Sequence, residues 1–473
     1  MDKKYYLTTT LPYVNAEPHI GFALEIVQAD SLARFHKLLG EDVVFNFGTD
    51  EHGQKIYQKA LDAGKDPQVY CDEYAAKFDA LKSALNLSYN HFIRTTDPHH
   101  IKAAQEFWKL CDKAGDIYKK LYKTKYCVGC ELEKTDSELI DGRCPLHPNQ
   151  DLEIIEEENY FFSFSKYQDK LLKFYEDNPD FVVPAGKFNE IKTFVKEGLQ
   201  DFSISRLKSK MPWGIPVPGD ATHVMYVWFD ALINYISTLG WPEDKESFEK
   251  YWPGFQVAGK DNLRQQTAIW QAMLASAGLP FSKQVFIHGF VTANGVKISK
   301  SLGNTINPIE VAEKYGTDAL RYYLLAKINP TEDSDFTFEK FEEVYNGELA
   351  NGLGNLVSRV AKLCEKSELK FKPTKIQKDE KIEKALKEYK FDVAIKLIWD
   401  EIAQTDHFIN EEEPWKLTGD KSEAVLIHLV DHVRTISSNL EPFLPETAEK
   451  INKIFVGPII KSAAPLFPRL NQK

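Results

Sequence analysis

Three groups of residues combine side-chain types and spacings from which chemistry can be built. The first is Cys127-x2-Cys130-x13-Cys144-x2-His147. Two pairs of soft ligands joined by a short polar loop can close a tetrahedral Cys3His site with no open position, which makes a bound zinc structural rather than catalytic, with free thiols as the alternative. The second is Pro18-His19-Ile20-Gly21-Phe22, expected at a strand-to-helix junction. Such a junction aims backbone N–H groups and the positive end of a helix dipole at the ligand edge of a sheet, where a histidine can donate to a phosphate. Alone, a proline-histidine turn before a helix is equally a structural device. The third is Lys297-Ile298-Ser299-Lys300-Ser301, set between Asn294-Gly295 and Gly303-Asn304. A basic loop between glycine turns suits the neutralisation of charge on a leaving pyrophosphate; a solvated lysine turn is the plain alternative.

The elements that must position these groups are readable from pattern. Tyr5 to Thr10 reads as a strand, the loop from Leu11 to Pro18 follows, and a helix runs to Leu39 with Gly40 as its stop. Val43 to Phe47 reads as a short buried strand and Gln54 to Ala63 as a second helix closed by Gly64. A β-α-β-α start predicts an α/β fold on a parallel sheet, with ligands at the C-terminal ends of its strands. After residue 115 the pattern breaks, passes through the cysteine segment and a helical run from Lys166 to Glu176, and reads as an insertion. Strand and helix alternation is expected to resume near Val224, with strands at Phe255 to Ala258 and Val285 to His288 and a helix from Arg264 to Ala277 between them. Asn307 as N-cap, with Pro308 at the first helical position, opens a helical region that includes Thr317 to Ala326. Beyond Phe336 the periodicity is helical, with loops near Lys372-Pro373 and Glu413-Pro414.

Length and composition agree with several packed domains. The chain has 473 residues, 43% hydrophobic and 27% charged, which excludes a disordered or collagen-like polymer. Its six cysteines are too few for a disulfide scaffold, and Cys71, Cys111 and Cys364 read as buried apolar fillers. No apolar run reaches 18 residues and no signal peptide leads the chain, so the expectation is a cytoplasmic protein with no membrane partner. A net charge of −11 argues against nonspecific coating of nucleic acid, so any nucleic-acid partner must be met by a local face.

The histidine and lysine motifs, in this order on two halves of one sheet, resemble the signature pair of class I aminoacyl-tRNA synthetases. Leu11-Pro12-Tyr13-Val14-Asn15, Gly48-Thr49-Asp50-Glu51-His52-Gly53, Tyr226-Val227-Trp228-Phe229-Asp230-Ala231, Gly259-Lys260-Asp261 and His288-Gly289-Phe290 narrow the resemblance to the methionyl-tRNA synthetases. The resemblance implies a Rossmann-like catalytic domain split by a zinc-bearing connective insertion and followed by an α-helical anticodon-binding bundle. The expected divisions are 1–115, 116–223 with the knuckle at about 125–150, 224–325 with the lysine loop, and 326–473. The implied substrates are methionine, ATP with Mg²⁺, and initiator and elongator tRNA(Met). Asp50 is implied as the partner of the methionine ammonium, with Leu11, Tyr13, Trp228, Tyr235 and Gln266 around the side chain. His19, Gly21, Glu25, Gly259, Asp261 and Lys300 are implied at ATP, with Lys297 on the same loop. Arg206 is implied near the tRNA acceptor end, and Asn355, Arg359 and Trp415 at the anticodon, where amide, guanidinium and indole can read unstacked bases. Two positions depart from the family pattern: Phe22 stands where a second histidine is usual, and Gln266 where a histidine is common. These departures keep open a tRNA-binding relic without activation. Leucyl, isoleucyl, valyl and cysteinyl enzymes are the nearest rivals within the class. The end of the chain near the end of the bundle leads us to expect a monomer.

Overall fold

The computed structural model describes residues 3–130, 132–134, 136–298, 304–367, 369–373 and 379–470. The chain forms two compact units, the first made of Met1–Glu17, Asp42–Ala80 and Tyr89–Ile287, the second of Pro18–Glu41, Leu81–Ser88 and His288–Lys473. These units cut the chain differently from the boundaries expected from sequence, although the whole of 116–223 lies within the first.

A six-stranded sheet organises the first unit. Its strands, numbered in chain order within the sheet, are β1 (Lys4–Thr9), β2 (Asp42–Thr49), β3 (His91–Arg94), β4 (Val182–Val183), β5 (Phe255–Gly259) and β6 (Gln284–His288). Their spatial order is β3-β2-β1-β5-β6-β4. Leu7 pairs in parallel with Phe45 on one side and with Phe255 on the other. The apolar runs of β1 and β2 are buried almost throughout, as expected for a parallel sheet covered on both faces. Gly48 of β2 is fixed by packing, because a Cβ there would lie 1.8 Å from the carbonyl oxygen of Ile93.

The insertion builds its own antiparallel sheets. Ile117–Cys127 pairs with Glu153–Phe162 along its length, flanked by Leu132–Lys134 and Phe202–Ser203. The stretch around Val224 does not resume the main sheet as expected. Asp220–Met225 instead pairs antiparallel with Pro216–Val217 and Ser205–Leu207, folded back at Pro218-Gly219, where Gly219 supplies φ +80. The Val224 stretch therefore adds no strand to the main sheet, which takes Val182–Val183 from within the insertion and then β5 and β6.

The second unit contains the helix Ile20–Leu38, a small three-stranded sheet and the C-terminal helices. Val291–Ala293 and Val296–Lys297 form a hairpin whose two-residue turn places Asn294 at φ +53 and Gly295 at φ +72, as a type I′ turn requires. Asn307 caps the helix Pro308–Tyr315 by accepting from the N–H of Ile309, and Thr317–Ala326 is helical within the bounds read from sequence. Phe391–Glu412 and Gly419–Leu440 are the longest helices described in the bundle. Arg321, fully buried, ties this unit together: it pairs with Asp30 at 2.8 Å and donates to the carbonyls of Leu85, Pro442 and Phe443.

Gly48→Ala is expected to destabilise the protein by about 3 kcal/mol, because the backbone of β3 cannot yield to the new methyl without giving up strand pairing. Urea unfolding followed by tryptophan fluorescence measures this, and a midpoint equal to the parent's would show that β2 and β3 are not held this closely.

Candidate active site

In the first unit the loops that follow β1 and β2 are zipped together beyond the sheet. Asp50 N–H donates to the carbonyl of Pro12 at 3.0 Å and Val14 N–H to the carbonyl of Asp50 at 3.2 Å, so Tyr13 and Asp50 form an isolated parallel bridge. Asp50 is 2% exposed, while Leu11 and Tyr13 on the neighbouring loop are half-buried. The ring of Tyr13 stands edge-on to Trp228 at 6.2 Å and 76°. Trp228 and Tyr235 do not share one helix: they sit on the successive short helices Val227–Ala231 and Asn234–Ser237.

Gln266 lies in a π-helical turn, Gln265–Ile269, that leads into the helix Trp270–Ser276. Such a turn carries an extra residue and re-aims its side chains, a device common at functional sites. Its amide Nε2 donates to the hydroxyl of Tyr235 at 2.6 Å, and its Oε1 accepts from Gln256 at 3.1 Å. The departure from histidine at this position is thus a satisfied buried hydrogen bond that orients Tyr235. Gly259 is buried at the end of β5, and Asp261 is exposed in the turn that follows. A buried carboxylate with aromatic rings nearby suits a small molecule carrying an ammonium group and an apolar or thioether side chain.

Behind these residues lies a cluster to which sequence reading gave no role. Asp230, wholly buried, places Oδ2 2.6 Å from Nδ1 of His52 and Oδ1 2.8 Å from Nε2 of His100. Burial alone would raise its pKa, yet the His52 charge and the hydrogen bonds from both imidazoles hold the carboxyl below the ordinary carboxylate range. The positions 52, 100 and 230 are too far apart in sequence for any local pattern to join them.

In the second unit His19 is the N-cap of the helix Ile20–Leu38, its Nδ1 accepting from the N–H of Gly21 at 3.1 Å. That bond assigns the ring proton to Nε2, leaving a neutral donor of the kind a phosphate oxygen accepts. A Cβ at Gly21 would come within 2.9 Å of the His19 ring, so glycine is what lets the ring fold back on the helix end. Phe22 packs its ring 4.6 Å from that of His19. It replaces a second donor with an apolar wall. Burial lowers the His19 pKa to about 4. Glu25 on the same helix is buried and lies 2.9 Å from Nε2 of His288, whose Nδ1 lies 2.7 Å from the carbonyl of Gly289. The backbone of Lys297 ends the small hairpin. Ser299, Lys300 and Ser301 lie outside the described residues.

The ligand atoms of Cys127, Cys130, Cys144 and His147 all lie within 4.8 Å of one another. Sγ of Cys130 is 3.2 Å from Nδ1 of His147 and 3.4 Å from Sγ of Cys144. A Cβ on Gly129 would sit 2.5 Å from the His147 ring, so the knuckle closes tightly around its four ligands. This donor set fits a structural zinc ion. Cys71, Cys111 and Cys364 are buried elsewhere, as expected. Arg206 is 6% exposed, with its guanidinium 4.3 Å from the ring centre of Tyr226 and 5.1 Å from that of Tyr126, and it donates to Ser203 and Ser205. A direct contact with RNA would require those rings to move aside. In the bundle, Asn355 and Arg359 share one face of the helix Asn355–Ser367, and Arg359 is held by Asp406 at 2.5 Å and Asn410 at 2.8 Å. Trp415 is 54% exposed just after Pro414.

Comparison with known proteins agrees with this arrangement. The family model described as tRNA synthetases class I (M) matches residues 5–153 and 134–361. The methionine–tRNA ligase of a Nostoc species is 42% identical over 95% of this chain and 89% of its own length. That of Clostridium acetobutylicum is 43% identical over 95% of this chain and 73% of its own length. The chain belongs to the methionyl-tRNA synthetases. Among solved structures, methionyl-tRNA synthetase of Mycobacterium tuberculosis in complex with methionyl-adenylate superposes with a TM-score of 0.92 at 35% identity, covering 99% of this chain and all of that one. Among the described residues no helix is long and apolar enough to cross a membrane.

His19 is expected to remain neutral through the physiological range and to gain its second proton only at about pH 4. In the unfolded chain it protonates nearer the ordinary histidine value, so this residue's contribution to stability is lost as pH falls from about 6.5 to about 4. A ¹H–¹⁵N NMR titration of the imidazole checks the assignment, and a midpoint above 6 would overturn it.

Proposed function

We propose that this chain activates methionine with ATP and transfers it to tRNA(Met), initiator and elongator alike, with the residues above in the following roles. Asp50 binds the α-ammonium group, and Tyr13, Trp228 and Tyr235 surround the thioether, with Leu11 as an apolar wall. The burial of Asp50, whose backbone is bridged to that of Tyr13 where the Tyr13 ring meets Trp228, is the observation that carries this reading. An ammonium placed there orients the methionine carboxylate, which is already a nucleophile and needs no base.

A carboxylate oxygen attacks the α-phosphorus of ATP, which arrives as its Mg²⁺ complex, and the bond to the bridging oxygen breaks with its electron pair leaving on pyrophosphate. His19 donates from Nε2 to a phosphate oxygen, and Lys297 and Lys300 neutralise the departing charge. Gly21 leaves the helix end open to the nucleotide, Glu25 and Asp261 contact its ribose and base side, and Gly259 lets the backbone approach it. In the second step a hydroxyl of the terminal ribose of tRNA attacks the methionyl carbonyl and AMP leaves. Arg206 supports this step by holding Ser205–Leu207 near the acceptor end. Asn355, Arg359 and Trp415 read the anticodon bases, and the protein works as a cytoplasmic monomer. Cys127, Cys130, Cys144 and His147 would hold zinc, which supplies the cross-link that folds the insertion.

ATP–pyrophosphate exchange tests the first step. Exchange is expected with methionine and not with the other amino acids, and Asp50→Asn is expected to reduce kcat/KM for methionine about a hundredfold, as for removal of a charged partner. Exchange with no amino acid, from folded and zinc-loaded protein, would favour the tRNA-binding relic instead. Trp415→Ala is expected to lower the rate of tRNA charging about tenfold or more while leaving pyrophosphate exchange unchanged, because an exposed stacking residue acts only on RNA. Equal losses in both assays would reject its anticodon role. Cys130→Ser is expected to abolish stoichiometric zinc in elemental analysis, and retention of the parent's zinc content would exclude this knuckle as the site.

A further inference from the structure

The His52–Asp230–His100 cluster touches none of the atoms that react, yet it links the segments that carry Asp50, Trp228 and Tyr235. Asp50 lies two residues before His52, and Trp228 two residues before Asp230. The bond between His52 and Asp230 therefore joins the loop that carries the pocket's carboxylate to the helix that carries its indole. The edge contact of Tyr13 with Trp228 and the backbone bridge of Tyr13 with Asp50 complete a closed circuit of three contacts. The second oxygen of Asp230 binds His100, and Nδ1 of His100 lies 2.9 Å from the hydroxyl of Ser237, two residues beyond Tyr235. One carboxylate thus fixes the separation of three walls of the pocket. His52 is further seated against the ring of Trp213 at 5.6 Å, and Trp213 Nε1 donates to the carbonyl of Glu51.

We propose that Asp230 is a positioning residue for methionine, setting through His52 and His100 the distance between the ammonium site at Asp50 and the thioether site at Trp228 and Tyr235. The geometry gives it leverage on one substrate only. A shortened or neutral partner at position 230 lets the Trp228 helix drift from the Asp50 loop, and the amino acid then no longer spans both subsites. ATP is held by other groups and is affected little. The inference rests on the reading that Asp50 and Trp228 bind methionine.

The test is pyrophosphate exchange by the zinc-loaded 473-residue chain, with methionine and ATP varied separately. Asp230→Asn keeps the shape of the side chain and removes its charge. It is expected to raise KM for methionine about tenfold or more while KM for ATP stays within about twofold, the split expected when the geometry of one substrate is loosened. Tyr167→Phe removes a buried hydrogen bond to Asp116 elsewhere in the same unit and serves as the structural control. It is expected to leave both constants unchanged. Where Asp230→Asn does not fold cooperatively, His52→Gln carries the same expectation. A methionine KM equal to the parent's, or equal rises in both constants, would overturn the inference. Asp50→Ala separates the two levels of the argument: if it leaves the methionine KM unchanged, the pocket itself is misassigned, whereas if it raises that KM and Asp230→Asn does not, only the positioning role fails.

Discussion

The architecture of the first unit depends on the pairing of β1 with a parallel neighbour on each edge. Because Leu7 lies between Phe45 and Phe255, the loops that leave the C-terminal ends of β1, β2 and β5 emerge side by side. Those loops carry Tyr13, Asp50 and Asp261, from stretches of sequence as much as 248 positions apart. Parallel strands need long crossovers, and this requirement leaves room for an insertion with its own sheets and Cys3His knuckle without disturbing the edge that carries these loops. The residue that carries the carboxylate at that edge is fixed by its backbone, since the bridge between Tyr13 and Asp50 extends strand pairing past the end of the sheet.

Beneath that edge runs a chain of buried side-chain hydrogen bonds. Asn46 of β2 donates to the hydroxyl of Thr8 on β1 and to Asn234, and accepts from Thr238. Gln256 of β5 reaches Gln266, which reaches Tyr235. In a low dielectric each such bond, once formed, resists exchange with water, so a paired network fixes one geometry more firmly than an apolar core of the same volume. The same logic holds for His19, where a single bond to Gly21 N–H selects the tautomer and the Phe22 ring covers the imidazole. The substitution of an expected second histidine by phenylalanine removes a donor and leaves the remaining one in a defined state.

Much of this was legible in the sequence where the governing chemistry is local. The helix Ile20–Leu38, the cap at Asn307, the helix Thr317–Ala326 and the Cys3His spacing follow from caps, turns and ligand geometry within a few residues of one another. The Val224 stretch was misplaced because a strand of six residues carries no mark of which sheet it joins, and only the turn at Pro218-Gly219 commits it to a hairpin. Trp228 and Tyr235, seven residues apart, sit on two short helices, and the helix from Arg264 opens with a π turn. Neither feature has a Gly or Pro within the segment to announce it. The Asp230 cluster was invisible for a different reason: aspartate and histidine at positions 52, 100 and 230 are commonplace until the fold brings them within 3 Å.

The most direct test is a crystal structure of the protein with methionine bound. The ammonium nitrogen is expected within hydrogen-bonding distance of Asp50, the thioether against Trp228 and Tyr235, and the His52–Asp230–His100 bonds intact beneath them. Methionine bound with its ammonium away from Asp50, or with the Asp230 bonds broken in the occupied pocket, would contradict this arrangement.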